Sequence, residues 1–382
     1  MKKKICLMLS LVLILGIFLL PSSKIVAYAS FSSDVSYKSA ILIDKNSKEV
    51  LFDNNANERL PIASVTKLMT ILLTLEQVKN GSLNLKDKIM VSENASGMGG
   101  SQIFLDANAE YEIGELLKSV IVCSANDSSV ALAEHIAGSE TNFVRLMNDK
   151  ANELGLTGTY YANCTGLPTP DGMSTARDQA IVLSHVLDYD EYHTYSSIWL
   201  EDFAHPNGRT TQMTNTNKLS KFYSGCIGGK TGSTNQAKYC LAVGAKRGNT
   251  ELIAVVLGAE TSKDRFKLAS DLLNYGFDNF VSSTLFSQDN LKDMSIKIKG
   301  KNRTAKLKAE KTYSLTHEKG KQPIYSLEFN LPNMLTSVKE NDIVGNVEIV
   351  VDGVVVEKIN ILSAETVNEL SVWDYIKEIA SM

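Results

Sequence analysis

A serine stands three residues before a lysine in Ser64-Val65-Thr66-Lys67, and this pair is where the sequence offers most chemistry. A serine hydroxyl is a weak nucleophile until a base takes its proton. A lysine one helical turn further on shares its face and lies within reach, provided it is held neutral. Pro61 precedes the pair and a long apolar stretch follows, which predicts a helix over about residues 64–79 with Ser64 in its first turn. Backbone N–H groups there lack intrahelical acceptors and favour developing negative charge. Two further clusters follow in order: Ser124-Ala125-Asn126, 60 residues after Ser64 at a helix boundary, and Lys230-Thr231-Gly232, just before a pair of strand-like runs. Singly, these read as an N-capping serine with a solvated lysine, a second N-cap and a glycine turn. Their succession in one chain is the specific signal.

The elements that must position these groups alternate in type. Ala40 to Ile43 and Val50 to Phe52 flank a polar stretch and predict an opening hairpin. Helical patterns run over about residues 112–122, 126–137, 140–154 and 174–188, with Gly155 capping the third. Tyr239 to Ala245 and Leu252 to Gly258 read as strands, and a helix over about residues 262–275 should end at Gly276. Near residue 283 the texture changes to alternating strands: Met294 to Lys299, Ala305 to Ala309, Tyr325 to Phe329, and Val347 to Val351 turning through Asp352-Gly353 into Val354 to Ile361. Val367, Leu370, Trp373, Ile376 and Ala380 then recur three to four apart, predicting an amphipathic helix over residues 366–382. The expected organisation is a leader at 1–29, a catalytic domain at 30–282, a β-rich domain at 283–365 and this helix.

Lys2 to Lys4, the apolar run Ile5 to Leu20 and Ala27-Tyr28-Ala29 form a secretory leader, so export is expected. Sixteen apolar residues fall short of the ~20 that a spanning helix prefers, which favours cleavage. Loss of the leader lowers Lys+Arg from 39 to 35 against 43 Asp+Glu, a net charge of −8. That balance argues against nucleic acid or a generic anionic membrane as partner. Cys123, Cys164, Cys226 and Cys240 remain after Cys6 is lost, and in a chain with room for a large core they read as small hydrophobes, not bridges. No Cys/His spacing suggests a metal, no glycine-rich loop a phosphate, and no cofactor is expected.

The chain resembles the low-molecular-mass penicillin-binding proteins, the serine D-alanyl-D-alanine carboxypeptidases. The resemblance runs through P-I-A-S-V-T-K-L-M-T, S-A-N-D-S-S-V-A-L-A-E, L-M-N-x-K-A-N-E-L-G-L, S-T-A-R-D and G-G-K-T-G-S-T, over about residues 35–280. It implies an α/β (α+β) penicillin-binding/β-lactamase-like transpeptidase domain followed by a small all-β domain. It also implies an enzyme that removes the terminal D-Ala from peptidoglycan stem peptides and is acylated by β-lactams. By the same resemblance Ser64 is the nucleophile, Lys67 its general base and Ser124 a proton relay. Asn126 holds the substrate amide, and Lys230 and Thr231 receive the terminal carboxylate, with Arg265 nearby. Gly232 lets the substrate backbone lie close along the strand, and the N–H groups of Ser64 and Ser233 form the oxyanion hole. Lys230, converging on the same pocket, should together with partial burial depress the pKa of Lys67.

Some relatives carry an arginine where this chain reads Asn215-Thr216-Asn217, and a histidine where it reads Cys164-Thr165-Gly166. Relatives also use the C-terminal helix for peripheral membrane contact. Glu369, Asp374 and Glu378 against Lys377 leave only the apolar stripe for that role. Two alternatives are a class A β-lactamase, for which Glu153 is the nearest candidate water-activating glutamate, and a non-catalytic penicillin-binding sensor or wall-binding module.

Overall fold

The computed structural model describes residues 31–300, 302–374 and 376, so the leader at 1–29 lies outside the described residues. The opening hairpin forms as β1 (Ser39–Asp44) and β2 (Val50–Asn54), antiparallel, its turn closed by Asp44 Oδ1, which accepts from the N–H groups of Asn46 and Ser47. Two short antiparallel pairs follow in sequence, β3 (Lys88–Met90) with β4 (Glu110–Glu112) and β5 (Leu200–Ala204) with β6 (Thr210–Thr214). Then come β7 (Cys226–Thr234), β8 (Lys238–Arg247) and β9 (Thr250–Ala259), which join the hairpin in a five-stranded sheet of order β2-β1-β9-β8-β7. All six residues of β1 are buried, because the sheet is apolar on both faces. Ile41 and Ile43 enter the core that contains Ala180 and Leu183 of the helix Ala176–Val186, while Leu42 faces the helix Ser262–Asn279.

That last helix corrects one expectation. Gly276 does not end it. A Cβ there would stand 2.5 Å from Leu252 Cδ1 and 2.9 Å from Leu42 Cδ2, so the glycine lets helix and sheet approach closely inside a helix that continues to Asn279. The helices Ile113–Val122, Asn126–Ala137, Glu140–Glu153 and Ala176–Val186 match their predicted spans to within two residues. Ser139, Thr175 and Thr261 cap helices through their hydroxyls, which fixes three of the starts. The segment predicted as one helix from residue 64 is a 3-10 turn, Ala63–Thr66, continued by the α-helix Lys67–Lys79. Lys230 to Gly232 do not precede the strand pair. They lie inside β7, a third strand and the edge of the sheet.

Strand texture begins with β10 (Phe280–Phe286), slightly before residue 283. Further on are β11 (Ser295–Lys297), β12 (Thr304–Ala309), β13 (Tyr313–Glu318), β14 (Tyr325–Asn330), β15 (Ile343–Val351) and β16 (Val354–Ser363). β10 pairs with β13, and the rest form a sheet of order β11-β12-β16-β15-β14 over a core including Leu307, Val347, Ile349, Ile359 and Ile361. A buried polar joint ties this region to the first sheet: Ser282 Oγ donates to Asp44 Oδ2 (2.8 Å) and Ser282 N–H to Thr250 Oγ1 (2.9 Å). The amphipathic helix expected from residue 366 does not start there. Val367 is extended, bridges Val338 and packs on the β core; helix appears only at residues 372–374 and 376, and most of the remainder lies outside the described residues. A pair of backbone hydrogen bonds to Val338 has overridden the local apolar period.

Candidate active site

Three elements converge: the turn Ala63–Thr66 with the helix behind it, the junction between the helices Ile113–Val122 and Asn126–Ala137, and strand β7. Ser64 is half-buried and its Oγ accepts from Lys67 Nζ at 3.1 Å. Lys67 is fully buried, and the same ammonium donates to the Thr165 carbonyl at 2.6 Å. Burial lowers its pKa from 10.5 to about 7, which brings the neutral amine within reach at physiological pH. Lys230 is equally buried and its pKa falls well below the usual value, first through burial and then through the like charge of Lys67. The lysine coupling expected from the sequence is thus expressed on Lys230, and desolvation accounts for Lys67.

Lys230 Nζ donates to Ser124 Oγ at 2.7 Å and to the Thr231 carbonyl at 3.0 Å. Ser124 sits at φ 67 and Ala63, next to the nucleophile, at φ 49; both are left-handed conformations that cost a non-glycine residue about 1–2 kcal/mol. Such strain persists only where surroundings impose it. Asn126 donates through Nδ2 to the Gly99 carbonyl (2.6 Å), and its Oδ1 is buried with no partner among the described residues. A buried acceptor left unpaired is unusual and suits a ligand amide. Thr231 is buried and Ser233 exposed on β7. Arg265, also buried, spends Nη1 on the carbonyls of Gly232 (3.0 Å) and Cys240 (3.2 Å), bracing the strand that carries Lys230. Burial lowers its pKa to about 10.

Gly232 is also required by the fold itself. A Cβ would lie 2.6 Å from the Ile62 carbonyl oxygen and 2.9 Å from the N atoms of Ser64 and Val65, so the glycine admits the nucleophile turn. Gly166, at φ 78, also lies against this turn: a Cβ there would meet the Ala63 carbonyl oxygen at 2.0 Å and Ser64 N at 2.9 Å. Together the two glycines clear the space around the N–H that an oxyanion would use. Sequence reasoning missed three supports. The Thr165 carbonyl that receives Lys67 is oriented by Asn163 Oδ1, which accepts from the N–H groups of Thr165 (3.1 Å) and Gly166 (2.6 Å). Asp127 accepts from the N–H groups of Ile103 and Leu105, both at 3.1 Å. An Asn-Cys-Thr-Gly turn and an aspartate directly after Asn126 were the available signals.

In the segment Asn215-Thr216-Asn217 the two asparagines fold their own loop: Asn215 Nδ2 donates to the carbonyls of Ser196 and Ile198, and Asn217 Oδ1 accepts from Leu219 N–H. Glu153, the glutamate a β-lactamase would need, is exposed and paired with Lys150 at 2.8 Å. The four cysteines are free.

A family model described as D-alanyl-D-alanine carboxypeptidase matches residues 26–261, more than half of the sequence. The chain belongs to that family. A second model, the C-terminal domain of penicillin-binding protein 5, matches residues 280–369 and fits the all-β region. Among curated family members, D-alanyl-D-alanine carboxypeptidase DacF of Bacillus subtilis is 40% identical over 315 residues, covering 81% of this chain and 80% of its own. DacC of Escherichia coli is 32% identical over 90% of this chain and 88% of its own. The crystal structure of penicillin-binding protein 5 from Haemophilus influenzae superposes with a TM-score of 0.71 at 30% identity, over 89% of this chain and all of that one. These likenesses, with Glu153 turned to solvent, disfavour the β-lactamase alternative.

Proposed function

We propose that this member of the family hydrolyses the terminal peptide bond of stem peptides ending in D-Ala-D-Ala, through an acyl-enzyme on Ser64. The observation that carries the reading is the contact of Ser64 Oγ with a fully buried lysine whose pKa falls to about 7. Neutral Lys67 takes the hydroxyl proton as Oγ attacks the carbonyl carbon of the penultimate D-Ala. The tetrahedral oxyanion is met by the N–H groups of Ser64 and Ser233. Collapse breaks the C–N bond, the departing amine collects its proton through Ser124, and D-Ala leaves. Water then attacks the ester carbon and gives a proton to neutral Lys67, which returns it to Ser64 Oγ as the ester C–O bond breaks, releasing the carboxylic product and the free serine. Lys230 and Thr231, with Arg265 behind the strand, receive the substrate carboxylate, and Asn126 Oδ1 accepts from the substrate amide N–H. β-Lactams acylate the same hydroxyl, and their tethered leaving group slows release.

Mass spectrometry of a D-Ala-D-Ala pentapeptide incubated with residues 30–382 should show loss of one alanine. Fluorescent penicillin should label the wild type and not Ser64→Ala. An unprocessed peptide would favour the non-catalytic sensor or wall-binding module, and rapid turnover of penicillin the β-lactamase.

The leader at 1–29 supports action outside the cytoplasm, at the outer face of the cytoplasmic membrane or in the cell wall. Exposed Val372, Trp373 and Ile376 support an apolar, peripheral membrane contact of the C-terminal segment. Liposome co-sedimentation with and without residues 366–382 tests it, and equal pelleting would rule it out.

A further inference from the structure

Two carbonyls hold Asn126: that of Ser101 accepts from its backbone N–H (2.6 Å) and that of Gly99 from its Nδ2 (2.6 Å). Both belong to a loop whose Gly99-Gly100 step has no side chain to fix it. The loop must be located by what grips residues 103–106. Asp127 grips the inner side through the N–H groups of Ile103 and Leu105. The outer side is gripped by the hairpin β5–β6: Thr211 Oγ1 donates to the Ile103 carbonyl (3.1 Å), and Arg209 Nη2 to the Phe104 carbonyl (2.6 Å) and Asp106 Oδ1 (3.0 Å).

The contacts have a direction. With its proton given to Ile103, the Thr211 hydroxyl must accept from His205 Nε2 at 2.9 Å. The network therefore assigns the neutral Nε2–H tautomer to His205, and Nδ1 accepts from Tyr111 Oη (3.0 Å) or Arg209 Nη2 (3.1 Å). His205 is buried. Between the inner and outer grips Phe104 is held at φ 62 with 56% of its surface exposed. A bulky residue keeps that conformation only where neighbours over-determine it.

We propose that Thr211 and Arg209 are positioning residues for the substrate amide: by fixing residues 103–106 from outside they set the Gly99 and Ser101 carbonyls, and through them the aim of Asn126 Oδ1. The proposal rests on the reading of Asn126 as the amide holder.

The test measures penicillin acylation, and KM and kcat on a D-Ala-D-Ala peptide, for Thr211→Val, Thr211→Ser, Arg209→Gln, Asn126→Ala and the double variant Asn126→Ala/Thr211→Val. Thr211→Val should slow acylation about three- to tenfold, most of the peptide effect falling on KM, and Thr211→Ser should restore it. Arg209→Gln, at the half-exposed edge, should act in the same direction without threatening the fold. In the Asn126→Ala background Thr211→Val should add nothing, since residues acting through one contact are not additive. If Asn126→Ala leaves acylation intact, the role of Asn126 fails and the proposal with it. If Asn126→Ala slows acylation but the hairpin variants do not, or if the losses multiply in the double variant, the positioning role alone is overturned.

Discussion

The catalytic cleft and the C-terminal β region solve the same backbone problem with different residues. In residues 283–374 the non-glycine residues at positive φ are Asn302, Asn341 and Asp352, types whose short polar side chains tolerate the left-handed region. Around the cleft they are Ala63, Phe104 and Ser124, which do not. Burial divides in the same way. Lys67, Asp127, Lys230 and Arg265 are buried in the catalytic region, whereas the buried polar residues of the β region, among those described, are the uncharged Thr316 and Ser363. Part of the strain and of the buried ionisable groups of the catalytic region lies beside Ser64 and Lys67, whereas the β region folds by alternating apolar residues. The contrast teaches that local violations of folding preference point to chemistry.

Four experiments test this contrast, the first by separating stability from activity altogether. Lys67→Met should reduce acylation by about 10³-fold or more. It should nonetheless raise stability by about 2 kcal/mol near neutral pH, because a buried ammonium is removed, while the Thr165 carbonyl and the half-buried Ser64 Oγ each lose a donor. The sign follows from the depressed pKa. Wild-type folding bears the full penalty below about pH 7, where both states are protonated, and stability rises with pH from there towards 10.5. Chemical denaturation across that range should show the slope in wild type and a flatter profile in the variant. A destabilised Lys67→Met at pH 7 would contradict the account.

Gly232→Ala should come next. Its Cβ would force the nucleophile turn away from β7 and displace an oxyanion donor, so acylation should fall on the order of 10²-fold. Near-normal labelling would show that the turn can yield. In the β region the converse is expected: Ile349→Ala, fully buried, should cost about 2–5 kcal/mol in urea unfolding yet leave acylation per folded molecule unchanged. A slower reaction in that variant would mean that the packing of the β region reaches the cleft. The smallest effect concerns the lysine pair. The acid limb of acylation should lie near pH 7, and Lys230→Gln should raise it by less than about one pH unit, since burial leads the depression of Lys67. A larger move would restore like charge as the leading cause.

Much of the fold was legible because periodicity and capping act locally. Thr175 and Thr261 announce their helices, and the alternation in Val347 to Val351 shows which face is buried. The failures occurred where a distant partner decided. Gly276 looks like a stop until Leu42 and Leu252 lie beneath it, and Val367 belongs to a helical stripe until Val338 offers a bridge. In the site, Ser64, Lys67, Ser124 and Lys230 were visible from motif succession. The Thr165 carbonyl and the Asp127 tether left only faint local signals, and the hairpin residues Thr211 and Arg209 left none, since grips between residues about a hundred positions apart make no pattern in a single chain.

The position of strand β7 at the sheet edge bears on solubility. An edge strand is an open template on which another chain can pair, and one with three glycines in nine residues resists such pairing little by side-chain bulk. Here the register breaks between Cys226 and Gly228, and a buried lysine, Lys230, follows two residues later. A bulge and an inward-pointing ionisable side chain are two of the devices by which natural sheets blunt their edges against self-association. An outer strand built this way is a poor template for a second copy of the chain.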